Sequence, residues 1–224
     1  PYTTLFRSDP QKVSISRLGV EKTGNALNPY KTKETRTIVT CSNIVGLKRL
    51  DLLIEALSRI DNEHISWVHF GDGAQREDIE KLASKKLSAK SNIEYVFKGR
   101  VPLQHIFDFY STVPIDCFIN CSDVEGVPVS IMEAMAYGIP CIARDVGGNK
   151  EIVHDEVNGF LLPENCDAEQ LAQSILRVLE LKDEERTSMR NQATETYQTH
   201  YNAKKNHVRF WKEITDFESE DTSR

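Results

Sequence analysis

Short apolar runs alternate with one-sided helical stretches along most of this chain, and that alternation constrains the fold more than any other feature. Runs such as TIVTCS and ISWVHF are rich in β-branched and aromatic residues, as buried strands are. Between them lie stretches such as LKRLDLLIEALSRI, whose Leu50, Leu53 and Leu57 recur at helical spacing. The alternation predicts an α/β domain with a Rossmann-like open parallel sheet and helices on both faces.

The predicted elements follow one another with short connections. The predicted strands are TIVTCS, ISWVHF, IEYVFKG, IDCFINCS, PCIARDVGG and NGFLLP. The predicted helices are LKRLDLLIEALSRI, QREDIEKLASKKL, PLQHIFDFYSTV, SIMEAMAYG and AEQLAQSILRVLEL, the last capped by Asp167, followed by Arg186–Tyr201 and Lys204–Phe217. We therefore expect a Rossmann-like domain at 37–201, a C-terminal helix at 202–217 and a polar tail at 218–224.

The N-terminal part of the chain is more polar and less regular. Residues 9–36 predict a linker strand, VSISRLGV, followed by a loop that contains Gly, Asn and Pro. Residues 1–8, PYTTLFRS, match the in-frame translation of a short-read sequencing adapter, so we expect an artefact there rather than coding sequence. The alternative is an ordinary short strand. An artefact would mean that an upstream domain is missing from this chain.

Composition and charge argue against several classes of function. A net charge of −6 argues against a nucleic-acid-binding surface. The five cysteines lack the spacing of a metal site, so buried, reduced thiols are expected. No apolar run is long enough to cross a bilayer.

The loops after the predicted strands are the candidate binding sites, because open parallel sheets bind ligands beyond the carboxyl ends of their strands. These loops are SNIVGLK, GDGAQ, KGRVP, SDVEGVPVS and DVGGN, and each contains glycine. In SDVEGVPVS, Gly126 allows close backbone approach, and the amides near Val129–Ile131 open a helix that favours an anion such as a diphosphate. Lys48, near the start of another helix, would reach the same diphosphate; the alternative is a solvated lysine.

Two glutamates, Glu125 and Glu133, lie eight positions apart around this loop. Ser130 and Glu133 fit a capping box, but a carboxylate at Glu133 would also bind the vicinal hydroxyls of a ribose. Glu125 places a second negative charge beside the expected anion, which a hydroxyl-rich group or a developing cation nearby would explain. Arg100, which follows Gly99, would line a base pocket or be solvated.

The segment EGVPVSIMEAMAYGIPCIARDVGGNKEIV, which carries both glutamates, resembles the core signature of family 4 retaining glycosyltransferases of the GT-B fold, whose motif is E-x7-E. KRLDLLIEAL, VHFGDGAQREDIEKL, IEYVFKGRVP and NGFLLP resemble further segments of that family, in the same order. The resemblance covers roughly Thr37–Leu181. It implies that 37–201 is a nucleotide-sugar-binding domain, the C-terminal half of a two-domain enzyme, and that the N-terminal domain, which mostly binds the acceptor, is missing.

The roles of the site residues follow from the resemblance, position by position. Glu133 would hold the ribose hydroxyls, and Glu125 would face the donor sugar near the reacting centre. The diphosphate would be held, and stabilised as the leaving group, by Lys48 and by the backbone of Gly126, Val127, Pro128, Val129 and Ser130. Gly99, Arg100 and Val101 would contact the nucleobase, largely through their backbone. Ser42 and Asn43 stand where the family often has Gly-Arg, so one cation on the diphosphate is missing.

The implied activity is a metal-independent transfer of a hexosyl-type sugar from a nucleotide diphosphate to a glycan or lipid-linked acceptor. No Asp-x-Asp occurs in the chain, so neither a metal nor another cofactor is expected. The resemblance implies a cytoplasmic enzyme of polysaccharide or cell-envelope synthesis, with the full-length protein peripherally associated with the inner face of the membrane. The fragment alone is expected to be inactive. The rivals are a non-catalytic nucleotide-sugar-binding module or degenerate half, and a GT-B nucleotide-sugar epimerase.

The C-terminal helix resembles the segment that crosses back to the N-terminal domain in this family. Without that domain, Phe210, Trp211 and Phe217 would form an exposed apolar patch. The alternative is a helix that packs on its own domain.

Overall fold

A computed structural model describes residues 16–30 and 34–221, with side chains as far as residue 215. Within these ranges the core is one six-stranded parallel sheet with the order β3-β2-β1-β4-β5-β6. The strands are β1 (Thr35–Cys41), β2 (His64–Phe70), β3 (Ile93–Phe97), β4 (Cys117–Asn120), β5 (Cys141–Arg144) and β6 (Gly159–Leu162). This architecture confirms the predicted fold class.

Helices connect the strands and continue after the last one. They are α1 (Leu50–Leu57), α2 (Arg76–Leu87), α3 (Leu103–Thr112), α4 (Val129–Ala136), α5 (Asn149–Ile152), α6 (Ala168–Glu180), α7 (Asp183–Thr196) and α8 (Ala203–Asp221). A 3-10 turn at Gly46–Lys48 precedes α1, and a π-helical turn at Tyr197–Tyr201 follows α7. No helix in the described part of the chain combines the length and apolarity that crossing a bilayer requires.

The strand order reverses between β1 and β4, and this reversal fixes where a ligand can bind. From β1 the chain continues to β2 on one side, while β4 pairs with the other edge of β1, with Val39 opposite Phe118. The loops after β1 and β4 therefore diverge over opposite halves of the sheet and leave a crevice between them.

Alternate strand residues supply a core on each face of the sheet. Ile38 and Trp67 point into one cluster, together with Leu53 of α1. Val39 and Phe118 point into the other, which is completed mainly by residues of α3 and α4. This alternation is the period of two that a strand imposes, and it explains why both faces of the strands read as apolar in the sequence.

The first predicted helix is shorter than its apolar pattern indicates. LKRLDLLIEALSRI was expected to be one helix, but Lys48 ends a 3-10 turn, and α1 begins only at Leu50. Arg49 interrupts the helix with a φ of 50°, in the left-handed region that costs a residue with a side chain about 1–2 kcal/mol. Its guanidinium binds Asp51 and Asp123, which offsets that cost.

The N-terminal linker was predicted as a strand, and the structure differs. Residues 13–15 of VSISRLGV lie outside the described residues, as do residues 1–8. Among 16–20, only Val20 pairs, in an isolated bridge with Asn202. The segment instead follows the C-terminal turn, since Val20 exchanges backbone hydrogen bonds with Tyr201 and Ala203.

The C-terminal helices are placed correctly by the sequence but not bounded correctly. The helix expected at Arg186–Tyr201 begins earlier, at Asp183, because Glu185 accepts a hydrogen bond from the Lys182 amide and three acids fill its first turn. The last helix runs to Asp221, into the segment predicted as a tail. The Asp167 cap is confirmed as a capping box with Gln170.

Two buried arginines, whose burial was not predicted, attach α7 to the end of α6 and to loops beside the sheet. Arg186 donates to the carbonyls of Val178, Leu179 and Leu181, and Arg190 donates to the carbonyls of Ile115 and Asn28. These two guanidinium groups satisfy helix-end and loop carbonyls that would otherwise be buried without donors. All five cysteines are free, and only Cys41 is partly exposed.

Candidate functional site

A cavity of about 380 Å³ lies in the crevice at the carboxyl ends of β1 and β4. Nine of its lining residues were predicted from the sequence: Ser42, Asn43, Lys48, Arg100, Val101, Glu125, Pro128, Val129 and Ser130. The other lining residues are Cys41, Phe70, Gly71 and Ile106. The polar residues are contributed chiefly by the loops after β1 and β4, whereas Phe70, Val101 and Ile106 form an apolar part.

Four predicted site residues do not line this cavity: Gly99, Gly126, Val127 and Glu133. Gly99 has a φ of 69° and accepts a hydrogen bond from the Gly71 amide, which fixes the turn before Arg100. Val127 packs against the core cluster that contains α4. These two residues therefore support neighbours that line the cavity and do not line it themselves.

Glu125 lies in the loop after β4, where three donors converge on one of its carboxylate oxygens. Oε1 accepts hydrogen bonds from Lys48 Nζ at 2.6 Å, Ser122 Oγ at 2.6 Å and Asn120 Nδ2 at 3.0 Å. Burial alone would raise the pKa of Glu125, but the hydrogen bonds from Lys48, Ser122 and Asn120 outweigh it and hold the pKa below its ordinary value. Glu125 is thus a charged acceptor at neutral pH.

Lys48 is not the solvated lysine that the sequence left as an alternative. Its side chain is 25% exposed and its ammonium pairs with Glu125. An ammonium carries three N–H donors, so two remain for a ligand in the cavity. The pair also supplies the positive partner that the sequence could not identify for Glu125.

Glu133 occupies a different environment, inside α4. It is 7% exposed, and no hydrogen bond to its carboxylate occurs among the described residues. Burial raises its pKa from 4.5 to about 7. Its charge acts on the Cys41 thiol, which lines the cavity, so the carboxyl lies near the cavity without lining it.

The capping-box interpretation of Glu133 is wrong. The helix begins at Val129 after the N-cap residue Pro128, and no side chain caps it. Ser130 therefore lies within the first turn rather than at the N-cap, where a capping box requires it. A proline at the N-cap supplies extended backbone geometry but no side-chain acceptor, so the first amides of α4 stay free.

The free amides of α4 belong to residues that line the cavity. Val129 and Ser130 line it, and their N–H groups have no acceptor in the described part of the chain. The amide of Ile131, also expected to face an anion, instead donates to the Pro128 carbonyl at 3.2 Å. Two unpaired N–H groups at a helix N-terminus, with Lys48 across the cavity, form an electropositive position for an anion.

Glycines fix the backbone of both site loops. A Cβ on Gly71 would lie 1.8 Å from the Ser42 carbonyl oxygen, and a Cβ on Gly147 would lie 1.8 Å from the Glu125 carbonyl oxygen. The Gly148 amide also donates to the Gly126 carbonyl at 2.7 Å. The sequence showed glycine in every strand-to-helix loop, but it did not show that two of these glycines pack closely against the loops after β1 and β4.

A cluster of charges joins the two site loops to each other. The Asp123 amide donates to the Leu47 carbonyl at 2.8 Å, and its carboxylate accepts from Arg49 at 3.1 Å and from Arg144. The segment that carries Lys48 is thereby tied to the segment that carries Glu125. Asp123 and Arg144 were not predicted as site residues; their only signal was their place at the ends of predicted strands.

Arg100 is the second cation of the cavity lining and is exposed to solvent. No carboxylate within the described ranges lies within 4.0 Å of its guanidinium. The pKa of Asp72 is lowered first by a hydrogen bond from the Gly73 amide, then by Arg76, and last by the charge of Arg100. Both alternatives from the sequence, a base contact and a solvated side chain, remain compatible with this position.

Comparison with known proteins gives a family for this fold and site. A family model described as "Glycosyl transferases group 1" matches residues 27–196. Among curated proteins, the putative colanic acid biosynthesis glycosyltransferase WcaL of Escherichia coli K12 is 28% identical over 207 residues, which cover 86% of this chain and 48% of WcaL. The UDP-Gal:alpha-D-GlcNAc-diphosphoundecaprenol alpha-1,3-galactosyltransferase of E. coli is 28% identical over 196 residues, covering 78% of this chain and 47% of that protein.

Solved structures show the same fold. The apo form of the lipopolysaccharide outer core galactosyltransferase WaaB superposes with a TM-score of 0.71 at 23% identity, over 92% of this chain and 57% of that one. HepE of Anabaena, in complex with UDP and glucose, gives a TM-score of 0.67 at 19% identity, over 81% and 48% of the two chains. The chain thus spans about half the length of the curated relatives described above.

Proposed function

The chain belongs to the group 1 glycosyl transferases, and from this membership we propose that it is the donor-binding half of a retaining enzyme. That enzyme transfers a hexosyl-type sugar from a nucleotide diphosphate to a glycan or lipid-linked acceptor. The observation that carries the proposal is the cavity at the strand-order reversal, which is lined by the Lys48–Glu125 pair and by Val129 and Ser130, whose amides are free. The UDP-Gal in the name of the E. coli galactosyltransferase, and the UDP and glucose bound to HepE, support the same class of donor.

The diphosphate would bind between Lys48 and the N-terminus of α4. Two free N–H donors remain on the Lys48 ammonium, and the amides of Val129 and Ser130 supply two more. As the bond between the sugar and the diphosphate breaks, its electron pair moves to the diphosphate oxygen. The ammonium and the amides stabilise that charge, and they need no rearrangement to do so. Asn43 would contribute a neutral donor where the family often has a cation.

The nucleoside would occupy the remainder of the cavity. Glu133 would accept hydrogen bonds from the ribose hydroxyls, which would satisfy a buried carboxyl that has no donor among the described residues. The base would lie against the turn at Gly99, Arg100 and Val101, near the apolar side chains of Phe70 and Ile106. Glu125, charged and at the other end, would face the donor sugar.

The proposal treats the transfer as metal-independent because the sequence contains no Asp-x-Asp to hold a metal-bound donor. The acceptor site would belong to an N-terminal domain, in keeping with relatives about twice as long as this chain. Within α8, Asn206 is buried and donates to the Arg17 carbonyl, whereas Phe210 and Trp211 are 40% and 52% exposed. The helix thus packs on its own domain at one end and presents an apolar face that the other domain would cover; the side chain of Phe217 lies outside the described residues.

The proposal places the full-length protein in the cytoplasm, at the inner face of the membrane, in polysaccharide synthesis. Its rivals make different products. A nucleotide-sugar epimerase would convert a UDP-sugar with no acceptor present, and a degenerate half would bind UDP-sugar without turnover when joined to its N-terminal domain. Product analysis of the full-length protein with UDP-sugar and acceptor separates the three.

The nucleotide site is tested by calorimetric titration of this chain with UDP. Glu133→Ala is expected to weaken UDP binding about tenfold or more, the effect of losing two hydrogen bonds to a charged group. Because no side chain or amide in the described ranges donates to the Glu133 carboxylate, its removal is not expected to unfold the domain. Glu180→Ala, an exposed glutamate at the end of α6, is the matched control and should leave the affinity unchanged. Equal UDP affinity in Glu133→Ala and the wild type would remove the ribose role.

A further inference from the structure

The three donors to Glu125 all bind the same oxygen. Lys48 Nζ, Ser122 Oγ and Asn120 Nδ2 reach Oε1, and within the described residues none reaches Oε2. A carboxylate offers about four lone-pair positions over its two oxygens. Oε1 is therefore saturated by the protein, and the acceptor capacity that remains is on Oε2.

Two of these donors, Asn120 and Ser122, are buried at the end of β4 and just after it. Asn120 is the last residue of β4, and its Oδ1 accepts from the Ser122 amide at 3.0 Å. Ser122 is 2% exposed, so its hydroxyl has no solvent to compete for it. Since an ionised carboxylate only accepts hydrogen bonds, the Ser122 hydroxyl must donate its proton to Glu125.

We propose that Asn120 and Ser122 are positioning residues that hold Glu125 by Oε1 so that Oε2 accepts a hydrogen bond from a hydroxyl of the donor sugar. This inference rests on the proposed function. It assigns the two side chains a task that Lys48 alone performs poorly, because a lysine side chain is flexible and its remaining donors serve the diphosphate. The backbone of the same loop is fixed independently, by Gly147 against the Glu125 carbonyl.

Ser122→Ala is the first test, since it removes one donor and little volume. Calorimetric titration would compare UDP with UDP-glucose, UDP-galactose and UDP-N-acetylglucosamine. In Ser122→Ala we expect the affinity for the preferred UDP-sugar to fall about fivefold, the factor that one hydrogen bond gives, while the affinity for UDP stays unchanged. Ser58→Ala, which removes a hydroxyl bound to the Glu55 carbonyl at the end of α1, is the matched control.

A second measurement needs no ligand. Carbon-13 NMR of the Glu125 carboxyl would follow its titration in the wild type, Ser122→Ala and Asn120→Asp. Ser122→Ala should raise the midpoint pH, and Asn120→Asp should raise it further, because a donor is replaced by a charged oxygen of the same shape. Asn120→Asp keeps the acceptor for the Ser122 amide, so the loop geometry is retained.

The outcomes separate this inference from the function on which it rests. A wild-type chain that binds neither UDP nor any UDP-sugar contradicts the proposed function, while the NMR titration still tests the link from Ser122 to Glu125. An unchanged midpoint in both variants overturns the inference. So does a Ser122→Ala variant that loses UDP and UDP-sugar affinity by the same factor, because that result indicates only a structural role.

Discussion

Glu125 and Glu133 are the same residue type, eight positions apart, yet their surroundings are opposite. The loop that carries Glu125 supplies three donors to one oxygen, whereas α4 supplies none to Glu133. Burial acts on both, but the pKa of Glu125 lies below its ordinary value, and that of Glu133 rises to about 7. Burial raises the pKa of both carboxyl groups, and only at Glu125 do hydrogen-bond donors outweigh it.

The difference has a meaning for binding. Under the proposed function, the sugar end of the site is organised before the donor arrives, because Glu125 is already charged and held. The ribose end is completed by the donor, whose hydroxyls would provide the hydrogen bonds that Glu133 lacks.

Gly147→Ala should disrupt the Glu125 side most strongly. The new Cβ would lie 1.8 Å from the Glu125 carbonyl oxygen, at a backbone φ of 53° that disfavours any side chain. Strain and overpacking together are expected to lower the free energy of unfolding by about 3 kcal/mol, measured by urea denaturation. Gly126→Ala is the matched control, because no atom lies within 4 Å of its added Cβ. Equal stability of the two variants would show that the loop is not pinned at Gly147.

Glu133→Gln should raise stability, most at high pH. The folded pKa of Glu133, about 7, lies above its ordinary 4.5, so the folded state binds the proton more tightly than the unfolded chain. Its effect on folding is therefore least unfavourable below pH 4.5 and becomes more unfavourable as the pH rises to 7. The gap between the two pKa values corresponds to about 3 kcal/mol, which we expect as the advantage of Glu133→Gln at pH 8.

At pH 5.5 the advantage of Glu133→Gln should fall to about half, because the wild-type carboxyl is then protonated in the folded state but only partly in the unfolded chain. Urea denaturation of both proteins at the two pH values measures this. If the stability advantage of Glu133→Gln is the same at both pH values, the ionisation of Glu133 is not its cause.

Uridine binding should strengthen as the pH rises, because only the ionised form of Glu133 accepts two hydroxyl hydrogen bonds. With a pKa of about 7 in the free protein, the ionised fraction rises about tenfold between pH 6 and pH 8, and the affinity should follow. Uridine is the probe because it carries no phosphate that titrates in this range. The pH dependence should disappear in Glu133→Gln; its persistence there would assign it to another group.

Glu125→Gln should have the smallest effect on stability. Lys48 loses its charged partner, but both side chains are partly exposed and the amide oxygen can still accept from Ser122. We expect a loss of about 1 kcal/mol at pH 7. The wild-type contribution should fade as the pH drops through and below 4.5, because the folded pKa is the lower one. Thermal unfolding at pH 7 and pH 4 would reveal whether the two proteins converge.

Local periodicity was enough to predict the strands and helices. It fails where a single side chain or a capping residue determines the residue at which a helix begins. Leu53 and Leu57 marked α1 correctly, but nothing in an apolar pattern indicates that Arg49 adopts a left-handed backbone held by two aspartates. The capping-box pattern placed the N-cap of α4 at Ser130, two residues too late, because Pro128 takes that position. These errors concern element boundaries, where tertiary contacts outweigh propensity.

The candidate site was predictable as far as it depends on the position of loops along a parallel sheet. Lys48 and Glu125 were identified from separate segments, and the structure places their charged atoms 2.6 Å apart. Asn120 and Ser122 were not predicted as site residues, because in the sequence they only mark the boundary between an apolar strand and a polar loop. Their role depends on direction, since both side chains point at one oxygen, and no linear pattern encodes that.

The hydrogen bond from the Asp123 amide to the Leu47 carbonyl has a consequence for recombining this domain with its relatives. The segments 42–49 and 122–126 are far apart in the chain, but Asp123 and Arg49 connect them in the structure. A chimera that exchanges only one of these segments would pair it with a segment from another protein and disturb the contacts between them. We therefore expect donor preference to pass between such proteins only when both segments are exchanged together, along with the glycines at 147 and 148 against which the second one rests.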